Sequence, residues 1–144
     1  MEKQKDRMAR VSEEAVKTAQ ESYGRCLANG NMLESFYDKF LSKSPLIKDR
    51  FKDTDFESQY KLLRHGINLM LMYAQGNIAG KSGLERIRYS HSREQMAIPP
   101  YSYDLWKAAL LEVLPLHDRK YNAEVKAAWS EVMDFGIEHI RSGY

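Results

Sequence analysis

The sequence predicts an all-α chain of seven or eight helices, and three observations carry that expectation. Apolar residues recur at helical spacing along nearly the whole length. No alternation of the kind a half-buried strand needs survives over six residues. Residues that start and stop helices punctuate the pattern at intervals of about 10 to 20 residues, the length of ordinary globular helices. With 144 residues, 43% of them hydrophobic and 29% charged, the chain is long enough to bury its own core as one domain. We expect residues 1–11 to be a polar lead and 12–144 the folded unit.

Each helix follows from local signals. Ser12 is placed to cap a first helix to about Ala28, and Asn29-Gly30 supplies a left-handed stop. The second, about Met32 to Lys43, lines up Leu33, Phe36, Tyr37 and Phe40 on one stripe. Ser44-Pro45 reads as cap and first residue of a short third helix ending near Phe51. Thr54 to Glu57 reads as a capping box opening a long helix to about Gln75. One face of that helix carries Phe56, Gln59, Leu63, Ile67 and Met70. The segment Gly76 to Gly83 reads as a glycine-rich loop, followed by a second capping box, Ser82 to Glu85, and a helix marked by Leu84, Ile87 and His91. Pro99-Pro100 ends that segment. Two long helices, about Pro100 to Leu116 and Asn122 to Arg141, should pair antiparallel across a loop at Pro115 to Tyr121.

Composition and motif tests then remove whole classes of function. Twenty-two Lys and Arg against 20 Asp and Glu leave a net charge of +2, too weak a field to point to nucleic acid or an anionic membrane. Apolar runs stop far short of a membrane span and MEKQKDRMAR lacks a signal-peptide apolar region, so the expected location is the cytoplasm. A single cysteine, Cys26, excludes an internal disulfide or a multi-cysteine metal site. GNIAGKSG ends like a phosphate-binding loop, but the position of its first glycine falls on Gln75 and a helix, not a strand, precedes it. Di-iron bundles need Glu-x-x-His, and Leu62, Arg88, Leu114 and Gly136 stand three before the four histidines. No histidine pair has zinc spacing and no nucleophile elbow is present.

What is left is a pair of amphipathic helices that each put one polar residue, Gln59 and His91, on an otherwise apolar face. Two such walls are suited to sandwich a flat cofactor. FYDKF (Phe36 to Phe40) and SPLIKDRF (Ser44 to Phe51), with the spacings that follow, resemble the globin family, above all bacterial single-domain globins and the haem domain of flavohaemoglobins. The resemblance spans roughly residues 12 to 141. Tyr37 precedes Phe51 by 14 residues, Gln59 follows Phe51 by eight, Leu63 follows Gln59 by four, His91 lies 32 beyond Gln59, and Tyr101 lies ten beyond His91.

That resemblance implies a haem b cofactor ligated through iron by His91, with an open position for O2, NO or CO. It implies Tyr37 and Gln59 as distal hydrogen-bond donors, Phe51 stacked on the porphyrin, and Leu62, Leu63, Gly66, Ile67, Ile87, Met96, Ile98 and Tyr101 as further cofactor contacts. Arg64, Arg88 and Arg93 are candidates for the haem propionates. His65, six residues past Gln59, turns about 120° away from the cofactor face. The expected function is reversible O2 binding. Two alternatives share the same pocket: nitric oxide dioxygenation with a separate reductase, and gas sensing through a partner protein, with the last two helices as a homodimer face as in globin-coupled sensors. Flavohaemoglobins bond a glutamate of the last helix to the proximal histidine. Aligned on Trp129, that position is Tyr144, which has no carboxylate. The reading also expects neither a fused reductase nor a fused output domain.

Overall fold

The computed structural model describes residues 11–144, so residues 1–10 of the expected polar lead lie outside the described residues. Seven helices are present among the described residues: α1 (Glu13–Ala28), α2 (Met32–Ser42), α3 (Pro45–Arg50), α4 (Phe56–Ala74), α5 (Ile78–Ser90), α6 (Tyr101–His117) and α7 (Ala123–Arg141). The all-α expectation stands.

Five of the seven helix starts carry a side-chain cap, α2 and α6 being the exceptions. Ser12 Oγ accepts from the Ala15 N–H, Ser44 Oγ from Leu46 with Pro45 at the first helical position, and Asn122 Oδ1 from Val125. Two starts differ from the sequence reading. Asp55, not Thr54, caps α4, through its Oδ1 and the Glu57 N–H. At α5 the difference is larger: the helix begins at Ile78, so that Gly80 and Gly83, expected in a loop, are helical. Asn77 Oδ1 takes the N–H groups of both Ala79 and Gly80. A Cβ on Gly80 would lie 2.6 Å from the Tyr73 backbone nitrogen, and one on Gly83 2.5 Å from Leu69 Cδ2. These glycines let α5 press against α4, and that packing outweighs their poor helix propensity. α6 also runs through Pro115 to His117, one residue beyond the expected end.

Packing joins α4 with α5, α1 with α7, and α2 with α6, while α7 also meets α4, α5 and α6. Ion pairs Lys107–Asp134 at 2.7 Å and Asp104–Arg141 at 3.5 Å run in opposite senses along α6 and α7, so these helices are antiparallel as expected. The core centres on Trp129, Phe36, Met32, Ile67, Leu84 and Leu110, all essentially inaccessible. One polar network crosses it. The Trp129 indole N–H donates to Ser22 Oγ (2.9 Å), Ser22 donates to Asp118 Oδ2 (2.6 Å), and Arg25 forks onto both Asp118 oxygens (2.5 and 3.0 Å). α1, α7 and the turn after α6 are thereby locked together, leaving α2, α3, the start of α4 and the residues from 91 to 106 to enclose a cavity.

Candidate functional site: one cavity between Tyr37 and His91

The cavity measures about 670 Å³. That is within the range of small-molecule and cofactor sites. Two groups of its lining residues matter, Tyr37, Phe51 and Gln59 from α2 to α4, and His91, Met96, Ile98, Tyr101 and Tyr103 from the end of α5 to α6.

In the first group, the apolar stripe of α2 turns Tyr37 inward, where Phe36, Phe40, Phe51, Phe56 and Tyr60 surround it with ring centroids 5.0 to 6.5 Å away. Gln59, in the first turn of α4, donates from Nε2 to the Tyr37 hydroxyl oxygen at 2.9 Å. Burial pushes the Tyr37 phenol up to about 12 despite the opposing pull of the Gln59 bond, so the hydroxyl keeps its proton. With Gln59 supplying the donor of that bond, the Tyr37 O–H remains free to donate.

In the second group, His91 is the C-cap of α5, its N–H bonded to the Ile87 carbonyl. Its ring Nδ1 lies 2.9 Å from the Tyr103 hydroxyl and the two rings stack at 6.0 Å. Burial, then the nearby Arg50 charge, holds the imidazole below its ordinary value, which favours the neutral form. Tyr103, pushed to about 12 by burial, is a neutral phenol. Nδ1 is occupied, and Nε2 is the nitrogen left for a metal.

Not every expected residue meets the cavity. Leu63 and Ile67 are buried behind it, Ile87 is half-buried on α5, and Leu62 is 62% exposed; none of the four lines it. Gly66 is likewise outside the lining, with nothing near the place of a Cβ. Met96 (54% exposed) and Tyr101 (43%) form its rim. His117 bonds Ser35 Oγ (2.8 Å), His139 pairs with Glu85 (2.7 Å), and neither they nor His65 lines the cavity. Tyr144 lies under the Arg93 guanidinium, 4.6 Å from its ring centre. The residues missed at the sequence level are Tyr103, Arg50 and Trp106. The i, i+2 relation of Tyr101 and Tyr103 on one helix was the available signal, since only one of them can face His91.

Among the described residues no three His, Cys, Asp or Glu side chains converge as a metal site. A lone imidazole in a large, mostly apolar cavity suits a metal whose other ligands come from an organic cofactor. The globin family model matches residues 34–140. The chain is a globin. A protein from Pseudomonas aeruginosa PAO1, PA3967, whose crystal structure is described as structurally highly homologous to a human hemoglobin, is 43% identical to it. The match has a TM-score of 0.87 and covers 90% of this chain and 98% of that one. No curated protein matches. Globins typically bind haem, and this site fits that group: one aromatic-walled cavity is lined both by an imidazole with a ring nitrogen left over and by a phenolic hydrogen-bond donor. No helix among the described residues is long and apolar enough to cross a membrane.

Proposed function

We propose that this globin holds one haem b through His91 Nε2 and binds O2 reversibly under the control of Tyr37. The observation that carries this reading is the placement of Tyr37, Gln59 and His91 around one cavity, with the Tyr37 hydroxyl proton unspent. When bound, haem supplies the iron at which diatomic gases are taken up. The chain supplies the discrimination. A donor held in a buried aromatic cage, as Tyr37 is, would favour a gas that takes on negative charge over one that does not. Gln59 fixes the phenol through its amide N–H, and Tyr37 has its own O–H left to donate. Phe51 supplies a flat apolar wall, while Leu63 and Ile67 stiffen α4 from the core side.

The proximal side supports binding more than O2 activation. Tyr103 offers His91 a neutral phenolic oxygen, so the proton on Nδ1 is shared with a weak acceptor rather than drawn toward a carboxylate. A second reading, nitric oxide dioxygenation, draws on the same Tyr37–Gln59 pair and needs an external reductase. Sustained NO consumption with NADH and a reductase from the same cell, set against a generic globin, separates the two.

The direct test is hemin titration followed by ligand release. One hemin per chain is expected, with Tyr37→Phe speeding O2 dissociation about 5-fold to 150-fold and leaving CO affinity nearly unchanged, because one hydrogen bond to a polarised ligand is lost. Gln59→Leu should act in the same direction and more weakly. O2 release within twofold of wild type in both variants contradicts the distal part of the reading.

A further inference from the structure

Haem b is amphipathic: an apolar disc with two carboxylates at one edge. A cation where that edge lies stabilises it, because a carboxylate held partly out of water gains from a charged partner. The three arginines expected from the sequence do not line the cavity. Arg64 acts electrostatically on Tyr23 of α1, Arg88 bonds Ser142 Oγ at 3.1 Å and lies 3.8 Å from Glu85, and Arg93 sits over the Tyr144 ring. The acidic and basic side chains lining the cavity, His91 aside, are Asp49 and Arg50 at the end of α3.

Arg50 is already anchored. Its Nη1 donates to the Met96 carbonyl at 3.1 Å and its Nη2 to the Ala97 carbonyl at 3.5 Å. Both acceptors belong to the segment that leads away from His91, where Ala97 adopts a left-handed backbone (φ 51°) uncommon for a residue with a Cβ. The same turn is closed by Ala97 N–H to Ser92 O (2.9 Å) and Ile98 N–H to His91 O (3.1 Å). The guanidinium therefore spans the cavity rim from α3 to the His91 side. It has five N–H donors in a rigid fork, and two carbonyls use two of them.

We propose that Arg50 binds one haem carboxylate with the N–H groups it does not spend on Met96 and Ala97. One side chain then ties together α3, the cofactor edge and the segment following His91. Its carbonyl anchors pre-orient the fork, so little side-chain freedom is lost on binding the carboxylate. Asp49, the neighbouring anion on the rim, is paired at 3.6 Å with Lys52 and repels a carboxylate, which confines the binding position to Arg50. This inference rests on haem being the cavity's occupant.

The test measures the rate at which hemin leaves for an excess of an apo-globin scavenger, with ordinary hemin and with its dimethyl ester, in wild type, Arg50→Gln and Arg50→Lys. With ordinary hemin, Arg50→Gln should lose the cofactor about 10-fold to 100-fold faster, the loss expected for a charge-assisted pair, and Arg50→Lys should fall between. With the dimethyl ester, whose carboxylates are masked, wild type and Arg50→Gln should agree within about twofold. An equal acceleration with both cofactors means that Arg50 only tethers the segment after His91 and overturns the proposal, as does no acceleration with either. Failure of the wild-type chain to take up either cofactor overturns the haem reading itself and the Arg50 proposal with it, and the preceding hemin titration registers that outcome separately.

Discussion

The Tyr103 hydroxyl and His91 Nδ1, 2.9 Å apart, set the orientation of the imidazole and the identity of its protonated nitrogen. A neutral ring that ligates through Nε2 carries its proton on Nδ1, and Tyr103 then accepts it. Removing that acceptor with Tyr103→Phe leaves a buried N–H unpaired and the ring freer to turn. Hemin affinity is expected to fall about 10-fold, measured by titration, while the far-ultraviolet circular dichroism stays that of wild type. An unchanged affinity would show that the ring is fixed by packing alone. Tyr101 was the expected tyrosine because ten residues separate it from His91 in the resembling family. Two positions on a helix differ by about 200° in direction, so the residue that faces His91 depends on how the intervening segment is folded. The left-handed Ala97 belongs to that segment, and no local signal announces it. Tyr37, Phe51, Gln59 and His91 were singled out through the globin resemblance, Gln59 and His91 also as single polar residues on apolar helix faces, and the fold brings all four to one cavity.

α5 shows the opposite balance between local and tertiary effects. Read locally, Gly76 to Gly83 is a loop, since glycine costs about 1 kcal/mol in a helix interior relative to alanine. In the fold, Gly80 and Gly83 are contact points where α4 and α5 approach, and only Gly76, with φ 80°, uses the left-handed freedom of the residue. A methyl on Gly80 would meet backbone atoms of Tyr73 and Met72, which cannot move aside as a side-chain tip would. Gly80→Ala should therefore destabilise the protein by about 1 to 3 kcal/mol despite the better helix propensity of alanine. A urea unfolding midpoint at or above wild type would mean that the two helices separate at little cost. Because α5 carries His91 at its end, the same substitution is expected to weaken hemin binding as well. The remaining helices were legible to within a residue or two because their caps and apolar stripes agree with one another, and Trp129 and Gly136 fell on the buried face of α7 as its stripe foretold.

At the scale of the molecule, the two halves of the cavity are held in register by a core whose main polar element is Asp118. Burial opposes its charge, but the bonds from Arg25, Ser22 and the Lys120 N–H, with the charge of Arg25, outweigh burial and hold the carboxyl down at about 2. The folded value is depressed, so this contribution is complete above the unfolded value near 4 and is lost as pH falls toward 2; it amounts to about 2 kcal/mol. Wild type should lose stability progressively below pH 4, and Asp118→Asn should be less stable at pH 7 with a shallower acid dependence, as thermal unfolding at several pH values will record. Parallel acid profiles would place the acid sensitivity elsewhere. Nothing in the local pattern around Ser22, Arg25 or Asp118 marks this network, because its partners lie 93 to 96 residues apart and only the packed fold brings them together. The central claim, that His91 is the cofactor's protein ligand, is tested most directly by the visible spectrum of ferrous His91→Gly reconstituted with hemin, recorded with and without added imidazole. Without imidazole, the wild-type ferrous and CO spectra should be lost, and free imidazole, entering the space left by the side chain, should restore them. A His91→Gly protein that retains the wild-type spectra with no imidazole present would contradict the assignment.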